Sequence, residues 1–538
     1  MDYKLTGALS ALALAACTTP VPAPPLLTPA AEQPPAASYE VTGWPASSLP
    51  EIAAALASGE VTSVELTNAY LGRIAAIDRA GPRLQSILFV NPDALAQAGA
   101  SDARRAAGAP LGPLDGVAIL LKDNIETLDP MATTAGSLAL KDNITGRDSP
   151  LAASLRAEGA VILGKTNLSQ WANFRSNFSL SGWSSVGGQV RNPYMLDRNP
   201  CGSSSGTGAA IAASLAAGGV GTETNGSIIC PSNVNGLVGF KPTVGLIPQG
   251  GIVPISPSQD TAGPMTTTVL GAALLMNAMD AGDADYTAAL TPEALKGVRV
   301  GVLRAAQGSN PDIISHFNGA LEVLRGQGAE LIEIEAFEPP EGFWAASLLV
   351  LEYEFKASLN EYLAGAAPGV TARTLADIIA FNTANAEAEL ALFGQDILEE
   401  SDALGPLTDE AYTKALALVQ SATRENGIDK LLADHGTSVL VSPSGPVAPR
   451  IDPVNGDVWP EWAGAGWAAA IAGYPNLTVP MGDVHGIPIG LSFMGGKNTD
   501  AAIFAYGYAY EQASGIRLTP KFLNSAEDRP ELKAAMQK

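Results

Sequence analysis

Histidine is nearly absent from this chain: three residues in 538, His316, His435 and His485. A hydrolase built on a histidine base has little to draw on. His316 lies in a helical pattern, and the other two sit beside turn-like residues, D434-H-G and V484-H-G. Cysteine is as scarce, with Cys17, Cys201 and Cys230 alone, which excludes a disulfide framework. No Cys/His cluster has ligand spacing, so no metal and no cofactor is expected. Basic residues are outnumbered, 31 against 54 acidic, giving a net charge of −23 with no basic cluster. Such a surface repels phosphate backbones and excludes nucleic acid as a partner; the acidity reads as solubility rather than as a docking function.

What is present begins with a targeting segment. Lys4 gives a weak positive start, and L5-T-G-A-L-S-A-L-A-L-A-A16 is too short an apolar stretch to span a bilayer as a mature helix. It ends in L14-A-A-C17, which resembles the bacterial lipobox, so Cys17 is the expected lipidation site. An ordinary secretory peptide cut after Ala16 is the alternative. Closely spaced prolines follow, T18-T-P-V-P-A-P-P and A30-A-E-Q-P-P-A-A, and favour extended, solvated chain. The expected organisation is a signal segment over 1–16, a lipidated cysteine and tether over 17–40, and a globular body over 41–538. Its expected place is the bacterial cell envelope, exported and lipid-anchored on the periplasmic side, with free periplasmic secretion as the alternative. Cys201 and Cys230 could pair in an oxidising compartment, but small buried fillers are the expected reading.

Length alone suggests about one domain per 150 residues. Yet no internal repeat and no second linker follow residue 40. T62-S-V-E65 reads as a capping box, with Leu66, Tyr70, Ile74 and Ile77 behind it at helical spacing. V117-A-I-L-L121, V161-I-L163, V298 to L303, V439-L-V441 and L477-T-V479 read as buried strands. Ala209 to Ala217 reads as a small-residue helix stopped by Gly218 and Gly219, and Ala501 to Ala513 as a late helix. Helices between apolar strands argue an α/β sheet covered on both faces. Residues 337–430 carry mostly helical pattern and read as a cap or insertion.

The chemistry lies in three short stretches. G202-S-S-S-G206 matches a nucleophile elbow around Ser204, but that motif needs a histidine. Cys201 to Gly208 is no phosphate loop, since no Gly-Lys-Ser/Thr ends it. Lys122 ends the apolar run G116-V-A-I-L-L-K122. A lysine so placed either snorkels to solvent or is buried, loses its charge and becomes a competent base for a nearby hydroxyl. Ser203 in C201-G-S-S-S-G and Ser227 in G221-T-E-T-N-G-S227 offer such hydroxyls. Singly, each of the three has a plainer reading as a surface lysine or a loop serine.

Together, their contexts resemble the amidase signature family. L114-D-G-V-A-I-L-L-K-D-N-I125 resembles its lysine motif, and C201-G-S-S-S-G, G221-T-E-T-N-G-S-I228 and G236-L-V-G-F-K-P-T243 resemble its Gly/Ser-rich signature. The 24-residue spacing of Ser203 and Ser227 fits, as do D260-T-A-G-P and Y474-P-N-L-T-V-P, and the likeness runs from about residue 48 to 520. The resemblance implies a single large α/β/α domain with a mixed central sheet covered by helices. It implies a Ser–Ser–Lys triad, with Ser227 as nucleophile, Ser203 as bridge on a cis peptide bond and Lys122 as base. The oxyanion hole would be the backbone N–H groups of Thr224, Asn225, Gly226 and Ser227.

The sequence departs from the common Gly-Gly-Ser-Ile-Arg pattern at N225-G-S-I-I229, which leaves a more apolar surround. T222-E-T-N-G-S-I-I-C-P looks most like the peptide amidase branch, whose members remove ammonia from C-terminal peptide amides. The expected partner is therefore a small-molecule or peptide amide substrate, with no obligate protein partner and membrane contact through the lipid anchor only. Aryl- or fatty-acid amides, an amidotransferase A-type subunit, and a non-catalytic binding lipoprotein are the alternatives, in that order.

Overall fold

The computed structural model describes residues 39–280, 282 and 284–537. The signal segment, Cys17 and most of the tether lie outside the described residues. Tyr39, at the end of the expected tether, packs edge-on against Phe522 with ring centroids 5.8 Å apart.

The described chain is organised on one mixed sheet. Thirteen strands occur in chain order: β1 (Ile87–Val90), β2 (Ala118–Lys122), β3 (Val161–Thr166), β4 (Trp183–Ser184), β5 (Gly188–Gln189), β6 (Gly218–Glu223), β7 (Val238–Lys241), β8 (Thr261–Thr266), β9 (Arg299–Leu303), β10 (Glu330–Ile334), β11 (Val439–Pro443), β12 (Asn476–Val484) and β13 (Ile487–Met494). Eleven of them form the central sheet in the order β1-β3-β2-β6-β8-β7-β12-β13-β11-β9-β10, while β4 and β5 make a separate small hairpin. Pairing is parallel for β2 with β3 and β6, and for β9 with β10 and β11; it is antiparallel from β6 through β8, β7, β12 and β13 to β11. Strands β2, β3, β6, β7, β8, β11 and β13 are buried along their full length, which requires cover on both faces.

Local signals explain much of this. The capping box at Thr62 forms as expected, with Glu65 reaching back to the Thr62 N–H, and it starts the helix Ser63–Arg73. The tight β12–β13 connection places His485 and Gly486 at φ 50° and 85°, as a two-residue hairpin turn requires. The region between β10 and β11 is helical, with Phe343–Ala364, Leu375–Ala384, Asp396–Ala403 and Glu410–Thr423 as its main helices. It carries its own apolar clusters, one around Phe355, Leu359 and Leu398 that takes in Trp171, Phe174 and Val253 of the body, the other around Phe343, Tyr353 and Val419 that takes in Ile471.

One expectation is overturned. The small-residue helix is Ser205–Ala212, and Gly218 and Gly219 do not stop it but open strand β6. The reason is packing. A Cβ on Gly219 would lie 2.6 Å from Thr207 Cγ2, and one on Gly221 would lie 2.8 Å from Ser204 Oγ. The helix lies so close to the strand that the strand needs residues without side chains.

Candidate active site

Strands β2 and β6 run parallel, with Leu120 opposite Gly219 and Leu121 opposite Val220. Their carboxyl ends therefore emerge side by side, the place where open α/β sheets bind ligands. Lys122 is the last residue of β2, and Thr222 and Glu223 end β6, with Ser227 four residues beyond. Ser203 arrives from the third side, in the turn before the helix Ser205–Ala212, and the Gly202–Ser203 peptide bond is cis.

Lys122 does not snorkel; it is 0% exposed. Its Nζ lies 2.7 Å from Ser203 Oγ, 2.8 Å from Thr222 Oγ1 and 3.3 Å from the Thr222 carbonyl oxygen. Burial pulls its ammonium from the ordinary 10.5 down to about 7, against the opposing fields of Asp260 and Glu223. A large share of the amine is therefore uncharged near neutral pH, and nearly all of it above that. The other buried lysines differ: Lys165 is paired with Asp123 at 3.2 Å, and Lys241 Nζ donates to the Pro242 carbonyl.

Ser227 sits beside this pair. Its carbonyl accepts from the Ser204 N–H at 3.2 Å, and among the described residues its hydroxyl has no hydrogen-bond partner. The backbone N–H groups of Thr224, Asn225, Gly226 and Ser227 likewise donate to no protein acceptor among the described residues, whereas those of Ile228 and Ile229 are both taken by Glu223 Oε2 at 2.8 and 3.0 Å. Thr224 Oγ1 donates to Asp260, whose other oxygen accepts from the N–H groups of Ile255 and Ser256. Burial raises the Asp260 carboxyl to about 6.

The elbow candidate Ser204 is structural. Its hydroxyl donates to the Thr222 carbonyl and accepts the Thr222 N–H, with no bond to a histidine among the described residues. The cysteines require a correction. Cys201 and Cys230 are buried in a small apolar cluster with Met195, Val234 and Ile487, as fillers would be, but they are also bonded as a disulfide with Cα atoms 5.9 Å apart. Each flanks one of the serine segments, so the approach that joins the serines joins the sulfurs.

A cavity of about 510 Å³ opens over these segments, lined by Cys201, Gly202, Asn225, Gly226, Ile229 and Cys230. Trp344, Trp459, Trp462 and Trp467 wall it, Glu223 and Asp457 face it, and no lysine, arginine or histidine among the described residues lines it. Among the described residues no group of three or more His, Cys, Asp or Glu is placed to hold a metal ion.

Sequence reasoning missed three parts of the site. Thr222, which holds Lys122 and is itself held by Asn124 Nδ2 at 2.9 Å, and Asp260 lie inside stretches that carry the resemblance and were legible there. Of the tryptophan walls, Trp344 lies more than a hundred positions from Trp459, Trp462 and Trp467, and no local pattern joins the two groups.

A buried lysine hydrogen-bonded to one serine, with a second serine and a loop of unpaired N–H donors brought up beside it, is equipment that an acyl-transfer hydrolase can use. The amidase family model matches residues 65–504. The native peptide amidase from Stenotrophomonas maltophilia is 45% identical, with a TM-score of 0.84 over 89% of this chain and 99% of that one. A probable amidase of Arabidopsis thaliana is 36% identical over 88% of this chain and 91% of its own length. A putative amidase of Schizosaccharomyces pombe is 32% identical over 86% and 85%. The chain belongs to the amidase family and is a hydrolase of the carboxamide C–N bond.

Proposed function

We propose that Lys122, Ser203 and Ser227 are the catalytic residues and that the substrate is a peptide with a C-terminal carboxamide, which is released as the peptide acid and ammonia. The observation that carries the triad is the buried, charge-depleted Lys122 amine held 2.7 Å from Ser203 Oγ. With Nζ donating to the Thr222 carbonyl and Oγ1, its lone pair is left for the Ser203 proton. Ser203 takes the proton of Ser227 in turn, and Ser227 Oγ bonds to the amide carbon. The oxyanion that forms is met by the unpaired N–H groups of 224–227. The C–N bond breaks as the relay returns the proton to the leaving nitrogen. Water, deprotonated through the same chain, then cleaves the acyl-serine.

Pocket chemistry supports the peptide amide. Aromatic walls suit a peptide's side chains, and two carboxylates with no cation among the described lining residues disfavour a free C-terminal carboxylate. The substrate lacks that charge and the product carries it, so the same walls favour release. The similarity to a peptide amidase points the same way. The Cys201–Cys230 bond fits an oxidising compartment and so supports the envelope reading of L14-A-A-C17, with Cys17 as lipid anchor. That location sets aside the amidotransferase reading, whose partners are cytosolic.

Ammonia release measured across peptide amides, aryl amides, fatty amides and free glutamine tests the substrate. Peptide amides should lead by at least tenfold in kcat/KM; a lead for aryl or fatty amides would replace that assignment. Ser227→Ala should abolish turnover while Ser204→Ala keeps it within about tenfold; the reverse would restore the elbow.

A further inference from the structure

The two halves of the relay are held very differently. Lys122 and Ser203 are locked: the amine reaches Ser203 Oγ and both oxygens of Thr222, Asn124 fixes the Thr222 hydroxyl, and Ser204 grips the Thr222 backbone from below. The step from Ser203 to Ser227 has no such support. The Ser227 hydroxyl makes no hydrogen bond among the described residues, and Gly226, at φ 84°, has open space where a Cβ would stand. What joins the two segments is the pair of Ser204–Thr222 hydrogen bonds at the strand end, one backbone hydrogen bond from the Ser204 N–H to the Ser227 carbonyl, the Asn235 carboxamide donating to the carbonyls of Pro200 and Pro231, and the disulfide. Of these only the disulfide is covalent. It spans from two residues before Ser203 to three residues after Ser227, and both of its cysteines line the substrate cavity.

We infer that the Cys201–Cys230 disulfide is a positioning element of the proton relay: it holds the Ser227 segment against the Ser203 segment, and opening it disables turnover without unfolding the protein. The inference rests on the triad assignment above. Opening requires a reductant. A dithiol supplies two electrons and two protons, Cys201 and Cys230 become thiols, and the dithiol closes to its own cyclic disulfide. The sulfurs separate, and the Ser227 loop is left with hydrogen bonds alone: to the Ser203 side, to Asp260 through Thr224, and within itself through Glu223. The two cysteines are only 5% and 2% exposed but line the cavity, so a dithiol that reduces them enters from the substrate's side.

The test uses the full chain. Native enzyme is treated with dithiothreitol, thiol content is read by alkylation and mass, and peptide amide kinetics are compared before reduction, after it and after reoxidation. The expected result is a fall in kcat of at least tenfold with KM within twofold, an unchanged far-ultraviolet circular dichroism spectrum, and recovery on reoxidation. The double variant Cys201→Ala/Cys230→Ala, insensitive to dithiol, should show the same loss, so the test holds even where the native bond resists reduction. The acid limb of the pH profile should stay near neutrality in the opened enzyme, because the Lys122–Ser203 half is untouched; a general loosening of the site would move it. Full kcat in the opened enzyme, or loss that only accompanies loss of the folded spectrum, overturns the inference and leaves the triad standing. Ammonia release by Ser227→Ala with the disulfide intact overturns the triad and this inference with it.

Discussion

Replacing Lys122 by methionine should abolish turnover and yet make the protein more stable at neutral pH. The lysine's amine titrates near 10.5 when unfolded and about 7 when folded. Between those values the unfolded chain binds a proton that the native one does not, so native stability rises with pH across that window. At about 1.4 kcal/mol per tenfold, suppressing that proton costs the native state roughly 4 kcal/mol at pH 7 and roughly 2 kcal/mol at pH 9. Methionine is of similar length, carries no proton and removes this cost. It also strands the hydroxyls of Ser203 and Thr222, at about 1 kcal/mol each. The net expectation is a gain of roughly 2 kcal/mol for Lys122→Met at pH 7, shrinking to about nothing at pH 9. Urea unfolding of both proteins at the two pH values reads this directly. A variant less stable than the parent at pH 7, or a gap that does not narrow by pH 9, would refute a buried, charge-depleted amine. So would activity surviving in the variant, since loss of a general base alone is worth about a hundredfold or more.

Other outcomes follow from the same geometry. For the parent enzyme, kcat/KM should fall about tenfold per pH unit below 7 as Lys122 takes up its proton; a rate flat down to pH 5 would contradict the assignment. Gly219→Ala should cost about 1–3 kcal/mol by overpacking against Thr207 and lower the thermal midpoint, with no change indicating that the helix yields freely. Arg175→Met should detach the helical layer. The guanidinium is fully buried, donates to Gln170 and to the carbonyls of Glu389 and Phe393, and lies 3.9 Å from the centre of the Phe393 ring. Removing it leaves Glu389 without its counter-charge at about 3–5 kcal/mol, seen as earlier proteolysis between β10 and β11. Cys201→Ala/Cys230→Ala closes no 29-residue loop and should lose roughly 3–4 kcal/mol in the chain-entropy account.

The strands with continuous apolar runs, β2, β3, β9 and β11, announce themselves in the sequence because burial on both faces demands such runs. Strand β6 does not. G218-G-V-G-T-E223 holds a single β-branched apolar residue, and its extended form follows from the helix Ser205–Ala212 pressing on it rather than from any local preference. Lys122, Ser203 and Ser227 were legible only as a set, through the segments around them. The disulfide was not legible, since two cysteines 29 residues apart carry no sign of which surfaces meet. Nor was Trp344, which comes from the helical insertion, or Trp459 and Trp462, which come from the segment after β11.

Wall and relay can therefore be engineered apart. The residues proposed for the relay are anchored around the ends of β2 and β6, while part of the cavity wall is carried by a stretch bracketed by two strands, β10 and β11, that both pair with β9. A foreign segment with the same entry and exit would leave both registers in place, provided its inner face reproduced the packing on Trp171, Phe174 and Val253 and the contacts to Arg175 and Ser256. Acyl preference could then be exchanged as a cassette while the hydrolytic machinery stays as it is.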